Sequence, residues 1–327
     1  MESGINNISP VFIFSLPRSG STLLQKIIAS SDEVSTSSEP WVLLPLLYAQ
    51  KEAGTLSEYS HTKAVQALND VKQSLIANNN NYNEILVEFI LSLYKGLSDK
   101  GSKYFLDKTP RYYLIIQEIS NIFPNAKFIF LFRNPLAQFA SKMNTHNGRF
   151  KTLYSAIVDI GKGPNLLVSG YKQLQEKSIK INYNELVNDS KLVITRIENY
   201  LNIKIDESVL NNLSEIEIKG VMGDPTLMSN ASNKISSESL NKWKKTFKTP
   251  IRRMVAIKYL YGINDNYFNT LGVSRDEIIS ELKTIKIKYS FSIKDCYDLI
   301  YCYLNLRFKP GLIFSNKYKW TKYIRLS

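Results

Sequence analysis

The stretch S-L-P-R-S-G-S-T-L-L, Ser15 to Leu24, lies between the apolar run Val11–Phe14 and the helical run Leu23–Ile28. Its residue types suit one task, holding an oxyanion. Backbone amides at a helix start point outward, and the helix dipole favours negative charge there. Gly20 lets the backbone approach an anion closely, Ser21 and Thr22 add hydroxyl donors, and Arg18 offers a planar fork of N–H groups matched to phosphate or sulfate oxygens. The loop departs from the pattern G-x-x-x-x-G-K-[ST]. Ser15 replaces the first glycine and Ser21 stands where the lysine belongs. The contact to the β/γ-phosphates of a triphosphate, and the Mg²⁺ chemistry that goes with it, is therefore missing.

Other charged residues follow similar apolar runs. Arg133 ends A-K-F-I-F-L-F and precedes Asn134-Pro135, a good cap and a good first helical residue. On the helix this predicts, Asn134, Gln138 and Ser141 share one polar face. Lys108 sits in D-K-T-P and Glu39 in S-E-P-W. A partly desolvated carboxylate such as Glu39 suits a general base, and Arg18 and Lys108 suit stabilisation of charge on a leaving oxygen. The histidines are His61 and His146 and the cysteines Cys296 and Cys302, so a zinc site or a Ser-His-Asp triad is poorly supported. The two thiols read as reduced rather than as a disulfide framework.

The elements that must position these groups alternate. Val11–Ser15, Lys103–Leu106, Ala126–Phe132 and Ser178–Asn182 read as short buried strands. Leu23, Leu24, Ile27 and Ile28 recur at helical spacing, as do Ile85, Phe89 and Leu93 within a mostly helical 57–96, interrupted by the polar run Asn78–Asn83. Lys191–Leu201 is a further helix. The alternation predicts an α/β fold with a central parallel sheet flanked by helices, and such sheets bind ligands at the carboxyl ends of their strands. The Arg18 loop, Lys108 and Arg133 all fall at such ends. Lys219–Leu240 is long and polar, the composition of a lid or binding loop.

A net charge of +13 favours anionic partners. From Leu282 to Ser327 ten Lys or Arg face only Asp295 and Asp298, interleaved with Tyr, Phe and Trp. This suits packing on the domain with the lysines in water, or peripheral contact with an anionic membrane. The expected division is a catalytic domain over 1–270 and a basic, aromatic extension over 271–327. The N-terminus shows no leader pattern and no apolar run reaches membrane-spanning length, so a cytoplasmic location is expected. Asn, Lys and Ile richness suggests a bacterial source.

Taken in order, the motifs resemble those of sulfotransferases that use 3′-phosphoadenosine 5′-phosphosulfate (PAPS). P-R-S-G-S-T-L-L resembles their 5′-phosphosulfate loop, in the arginine form similar to protein-tyrosine and bacterial or carbohydrate-type enzymes. F-R-N-P-L-A-Q-F-A-S (Phe132–Ser141) resembles the 3′-phosphate motif. S-E-P-W, D-K-T-P, I-N-Y-N-E-L (Ile181–Leu186) and S-L-N-K-W (Ser239–Trp243) are similar to further family segments. The resemblance spans Val11 to about Phe247. It implies a P-loop NTPase-like three-layer fold and a metal-free transfer of sulfuryl from PAPS to a hydroxyl of a saccharide, glycolipid or similar acceptor. It implies that Arg18, Ser19, Gly20, Ser21 and Thr22 hold the 5′ end and that Arg133 and Ser141 hold the 3′-phosphate. Lys108 would reach the bridging oxygen, Glu39 would act as base, and Tyr183, Lys242 and Trp243 would contact the nucleotide. Asn241 stands where tyrosine sulfotransferases tend to have serine. Residue by residue, a kinase-like phosphotransferase and a non-enzymatic basic protein binding nucleic acid or sulfated glycans remain the alternatives. Nucleic acid is not an expected partner.

Overall fold

A computed structural model describes residues 8–55, 57–99, 101–145, 147–220, 237–289 and 292–308. His146, most of the 219–240 loop and the basic chain after Phe308 lie outside the described residues. The chain divides into two compact units, 1–133 with 165–237, and 134–164 with 238–327.

The first unit carries the sheet. Its strands are β1 (Ser9–Ser15), β2 (Val34–Thr36), β3 (Tyr104–Asp107), β4 (Lys127–Phe132) and β5 (Ser178–Asn182), in the order β2-β3-β1-β4-β5. Every adjacent pair is parallel. β1, β3 and β4 are apolar runs because both faces of such a sheet are covered. Register puts Phe12 beside Phe128 and Phe14 beside Phe130. With Phe132, these aromatics form one face. Above them lie Tyr112 of the short helix Pro110–Leu114, Phe123 and Tyr171. Tyr94, from α4 (Tyr82–Leu97), stacks on Phe105 at 4.4 Å on that same face. On the opposite face the Tyr104 hydroxyl donates to the Leu201 carbonyl, the last residue of α10 (Ser190–Leu201). The result is the three-layer, P-loop NTPase-like arrangement expected. The remaining first-unit helices used below are α1 (Ser21–Ala29) and α9 (Tyr183–Asn188).

Three sequence expectations need correction. β2 was not anticipated. Val34-Ser35-Thr36 carries two hydroxyls in three residues and lacks an apolar run, and it is held by its ladder to β3 and a Ser35–Ser102 hydroxyl contact of 2.7 Å. The helix over Ile85, Phe89 and Leu93 exists, but those three side chains face outward. The neighbouring stripe Leu86, Ile90 and Tyr94 is the buried one. Tyr183, just past the expected strand Ser178–Asn182, begins α9, a helix that was not anticipated either.

The second unit is helical. Asn134 caps α6 (Pro135–Asn144), its side chain accepting from Leu136 N at 2.9 Å, with Pro135 first in the helix as expected. Phe139 of α6 packs edge-on to Phe247 and Tyr259, and Trp243 is buried beside Phe247.

Candidate functional site

Parallel strands align their carboxyl ends, and here each of the five ends delivers one piece of a constellation. β1 leads into the Leu16–Gly20 loop, β2 into Ser37–Trp41 with Glu39, β3 into Lys108, β4 into Arg133, and β5 into Tyr183. β1 lies between β3 and β4, so its loop has Lys108 on one flank and Arg133 on the other.

On the first flank Lys108 is 1 % exposed, which no lysine sustains without partners. Its ammonium donates to Glu39 Oε1 at 2.9 Å and to Thr22 Oγ1 at 3.4 Å. Glu39 Oε2 also accepts from Trp41 Nε1 at 3.2 Å. Thus the loop, the carboxylate and the lysine meet although 69 and 86 residues separate Lys108 from its two partners in sequence.

The segment carrying Glu39 is anchored by residues that sequence reasoning missed. Asp107 is fully buried. It accepts from the hydroxyls of Tyr94 at 2.6 Å, Tyr112 at 2.9 Å and Thr109 at 3.1 Å. Thr109 Oγ1 accepts from the Trp41 amide, and the Tyr112 hydroxyl accepts from the Leu43 amide, both at 3.3 Å. Burial pushes the Asp107 carboxyl up to about 6, against the hydrogen bonds of Tyr94, Tyr112 and Thr109 and the Lys108 charge, which hold it down. From α1, Gln25 Nε2 donates to Thr36 Oγ1 and to the Ser37 carbonyl, fixing where β2 ends. A polar residue in the inward face of an amphipathic helix, as Gln25 is among Leu24, Ile27 and Ile28, was the available signal.

On the second flank Arg133 Nη1 donates to the Arg18 carbonyl at 2.9 Å, and the guanidinium lies 4.0 Å from the Tyr183 ring centroid. The guanidinium at 133 is thus within hydrogen-bond reach of the loop around Gly20. Tyr183 closes on the loop from the far side. A Cβ added to Gly20, whose φ is +92°, would lie 2.3 Å from the Tyr183 ring. Ser19 and Ser21 are buried in the loop.

Backbone strain marks the same place. Among the described residues, five that are not glycine have positive φ. Three are asparagines, which tolerate it; the others are Arg18 at +69° and Trp41 at +57°. Such strain persists where surrounding contacts over-determine it, and it concentrates at functional sites.

Ser141, Lys242 and Trp243 belong to the second unit. Ser141 is half-buried on α6, Lys242 is exposed and Trp243 is a core residue beside Phe247. His61 opens the helix His61–Ala77 and its Nε2 meets the Lys51 carbonyl at 2.7 Å.

A family model described as the sulfotransferase family matches residues 10–207. That stretch holds every residue of both flanks. The nodulation protein NoeE of Sinorhizobium fredii is 27 % identical over 143 residues, 42 % of this chain and 33 % of that protein. Protein-tyrosine sulfotransferase A of Caenorhabditis elegans is 24 % identical over 217 residues, 64 % of this chain and 54 % of that one. The matches thus span about a third and about half of these relatives' lengths. The solved sulfotransferase domain from the curacin biosynthetic pathway aligns with a TM-score of 0.53 at 21 % identity, over 86 % of this chain and 99 % of that domain, and shares the fold. With more than half of its length matched by the family model, and its five strand ends converging on one anion-type loop, the chain belongs to the sulfotransferase family.

Proposed function

We propose that the protein transfers a sulfuryl group from PAPS to a hydroxyl of a saccharide, glycolipid or similar acceptor. The observation that carries this reading is Lys108, buried and held between the loop hydroxyl of Thr22 and the carboxylate of Glu39. A lysine so placed joins an anion cradle to a candidate base.

The residues present fit such a donor. Gly20, the N-cap of α1, provides no side-chain cap, and the first helical turn holds no acidic residue, so its amides and dipole are open to an anion. The Ser15 hydroxyl, buried at the end of β1, has no hydrogen-bond partner among the described residues. The rest of the donor set is cationic or hydroxylic: Arg18, Ser19, Ser21, Thr22, Lys108 and Arg133. PAPS would supply the activated sulfuryl group, with the 5′ end on the loop and the 3′-phosphate toward Arg133, beside Tyr183. Lys242 and Trp243, which the family resemblance also assigns to the nucleotide, belong to the second unit, where Trp243 is a core residue.

Glu39 takes the proton from the attacking hydroxyl, whose oxygen bonds to sulfur as the bond from sulfur to the bridging phosphate oxygen breaks. Lys108 and Arg18 stabilise the electron pair left on that phosphate. The Lys108–Glu39 pair couples the two events. As Glu39 becomes neutral its hold on the ammonium weakens, while negative charge grows on the phosphate that can receive it. No metal enters this scheme.

The test is transfer of label from PAPS to a panel of saccharide, glycolipid and tyrosine-peptide acceptors. Glu39→Gln keeps the contact to Lys108 but cannot take a proton, and its turnover is expected to fall by about 10²-fold or more with little change in nucleotide affinity. Near-normal turnover in Glu39→Gln removes the base assignment. Absence of transfer to every hydroxyl offered, with PAPS bound, removes the reading.

A further inference from the structure

The helix Ile293–Phe308 is amphipathic in the reverse of the usual sense. Its buried residues are Asp295, Asp298 and Cys302. Arg252 clamps Asp295 through Nε and Nη2, both at 2.8 Å. Arg149 clamps Asp298 through Nε at 3.1 Å and Nη2 at 2.5 Å. The Cys302 thiol meets the Phe150 carbonyl at 3.4 Å. On the outside stand Ile293, Tyr297, Ile300 and Leu304, 75 %, 59 %, 59 % and 45 % exposed. At about 100° per residue these four fall within an arc of roughly 60°, and Asp295, Asp298 and Cys302 fall on the opposite side. A helix that merely covered the domain would point its apolar stripe inward. Here the ionic clamps fix the stripe outward, at the cost of burying two carboxylates.

We propose that this face is a docking surface for an anionic phospholipid bilayer, with the helix lying in the plane of the membrane. An exposed apolar stripe of this kind marks an interaction site, and charge identifies the partner. Lys294 and Arg307, both exposed, lie near the two ends of the helix. From Leu299 to Ser327 the chain carries six Lys or Arg and no acidic residue, with Phe314, Tyr318, Trp320 and Tyr323 among them. The 19 residues that follow Phe308 in sequence are therefore basic and aromatic, a composition that suits anionic headgroups and the interfacial zone beneath them. A second copy of this chain is disfavoured, because pairing the stripes would bring two such segments of one sign together. The proposal does not depend on the reaction assigned to the first unit.

Flotation of the full chain with phosphatidylcholine vesicles, with and without phosphatidylglycerol, tests it. The protein is expected to rise with the anionic vesicles and to stay behind with the neutral ones. Ile300→Asp with Leu304→Asp is expected to lower partition by about tenfold or more, with far-ultraviolet circular dichroism and binding of adenosine 3′,5′-bisphosphate unchanged. Should the aspartates perturb folding, Ile300→Ser with Leu304→Ser carries the same test with a smaller loss. Failure to bind anionic vesicles overturns the proposal, as does wild-type partition in the substituted protein. A concentration-dependent dimer that the same substitutions dissolve, or an acidic protein partner bound in place of vesicles, also overturns it.

Discussion

Two regions of this molecule bury ionic contacts, and they bury opposite partners. At the strand ends the cation is hidden, and Glu39 keeps some solvent contact. On the helix Ile293–Phe308 the acids are hidden, and both arginines reach solvent. The geometry differs as well. Lys108 is a point charge on a flexible stem, shared between Glu39 and a neutral hydroxyl. Arg252 and Arg149 each grip a carboxylate through two parallel N–H groups. The first arrangement can give up a partner when another anion arrives, and it sits beside two strained non-glycine residues and an open helix start. The second holds an element in a fixed orientation. Sign, fork geometry and local strain thus distinguish the two ionic contacts.

Breaking the first contact is expected to give the largest effect. Lys108→Ala should lower the initial rate of sulfuryl transfer per folded molecule by roughly 10²- to 10³-fold, beyond whatever stability is lost by emptying a fully buried site. A rate within a factor of a few of wild type would erase the distinction. Breaking the second contact should do the reverse. Asp295→Ala leaves the Arg252 guanidinium without its carboxylate, although Nη2 still donates to the Gly148 carbonyl at 2.8 Å, and should cost roughly 1 to 3 kcal/mol in urea unfolding, with transfer per folded molecule nearly retained.

Asp107 sharpens the comparison, since it is a buried acid held by hydroxyls instead of a guanidinium. Its carboxyl is raised from 3.8 to about 6, chiefly by burial. The folded chain then binds that proton more tightly than the unfolded chain does. Its contribution to stability is fully present below about pH 4 and is lost as pH rises through about 6. The shift corresponds to about 3 kcal/mol. Asp107→Asn lacks this titration, so the stability difference between variant and wild type should move by that amount in the variant's favour from about pH 4 to about pH 7. A difference that stays flat with pH would show that Asp107 titrates as an ordinary surface carboxyl.

Four of the five strands were legible because β1, β3 and β4 are apolar runs and β5 ends one residue before Tyr183 in a recognisable segment. β2 was not, because Val34-Ser35-Thr36 pairs through its backbone and hides hydroxyls that water would equally suit. The helix over 82–97 was legible by period, but it carries two apolar stripes one residue apart. The Tyr94 hydroxyl, reaching Asp107, selects which turns inward, and that partner lies 13 residues on. Arg18, Lys108, Arg133 and Glu39 were legible as motif residues, whereas the Lys108–Glu39 pair and the Arg133–Arg18 contact span distances in sequence that no local pattern encodes. The inverted helix had a signal that composition masked: the two acids of a basic tail stand three apart, opposite Ile293, Tyr297 and Ile300.

The central claim is that the loop after β1, with Lys108 and Arg133 on its flanks, holds a bisphosphorylated adenosine and not a triphosphate. Calorimetric titration of the full chain with adenosine 3′,5′-bisphosphate and, separately, with ATP plus Mg²⁺ tests it most directly. The account predicts metal-independent binding of the bisphosphate, tighter than ATP by about tenfold or more (about 1.4 kcal/mol), with Arg133→Ala removing most of that preference. Tighter binding of ATP with Mg²⁺, or a bisphosphate affinity indifferent to Arg133, would contradict it.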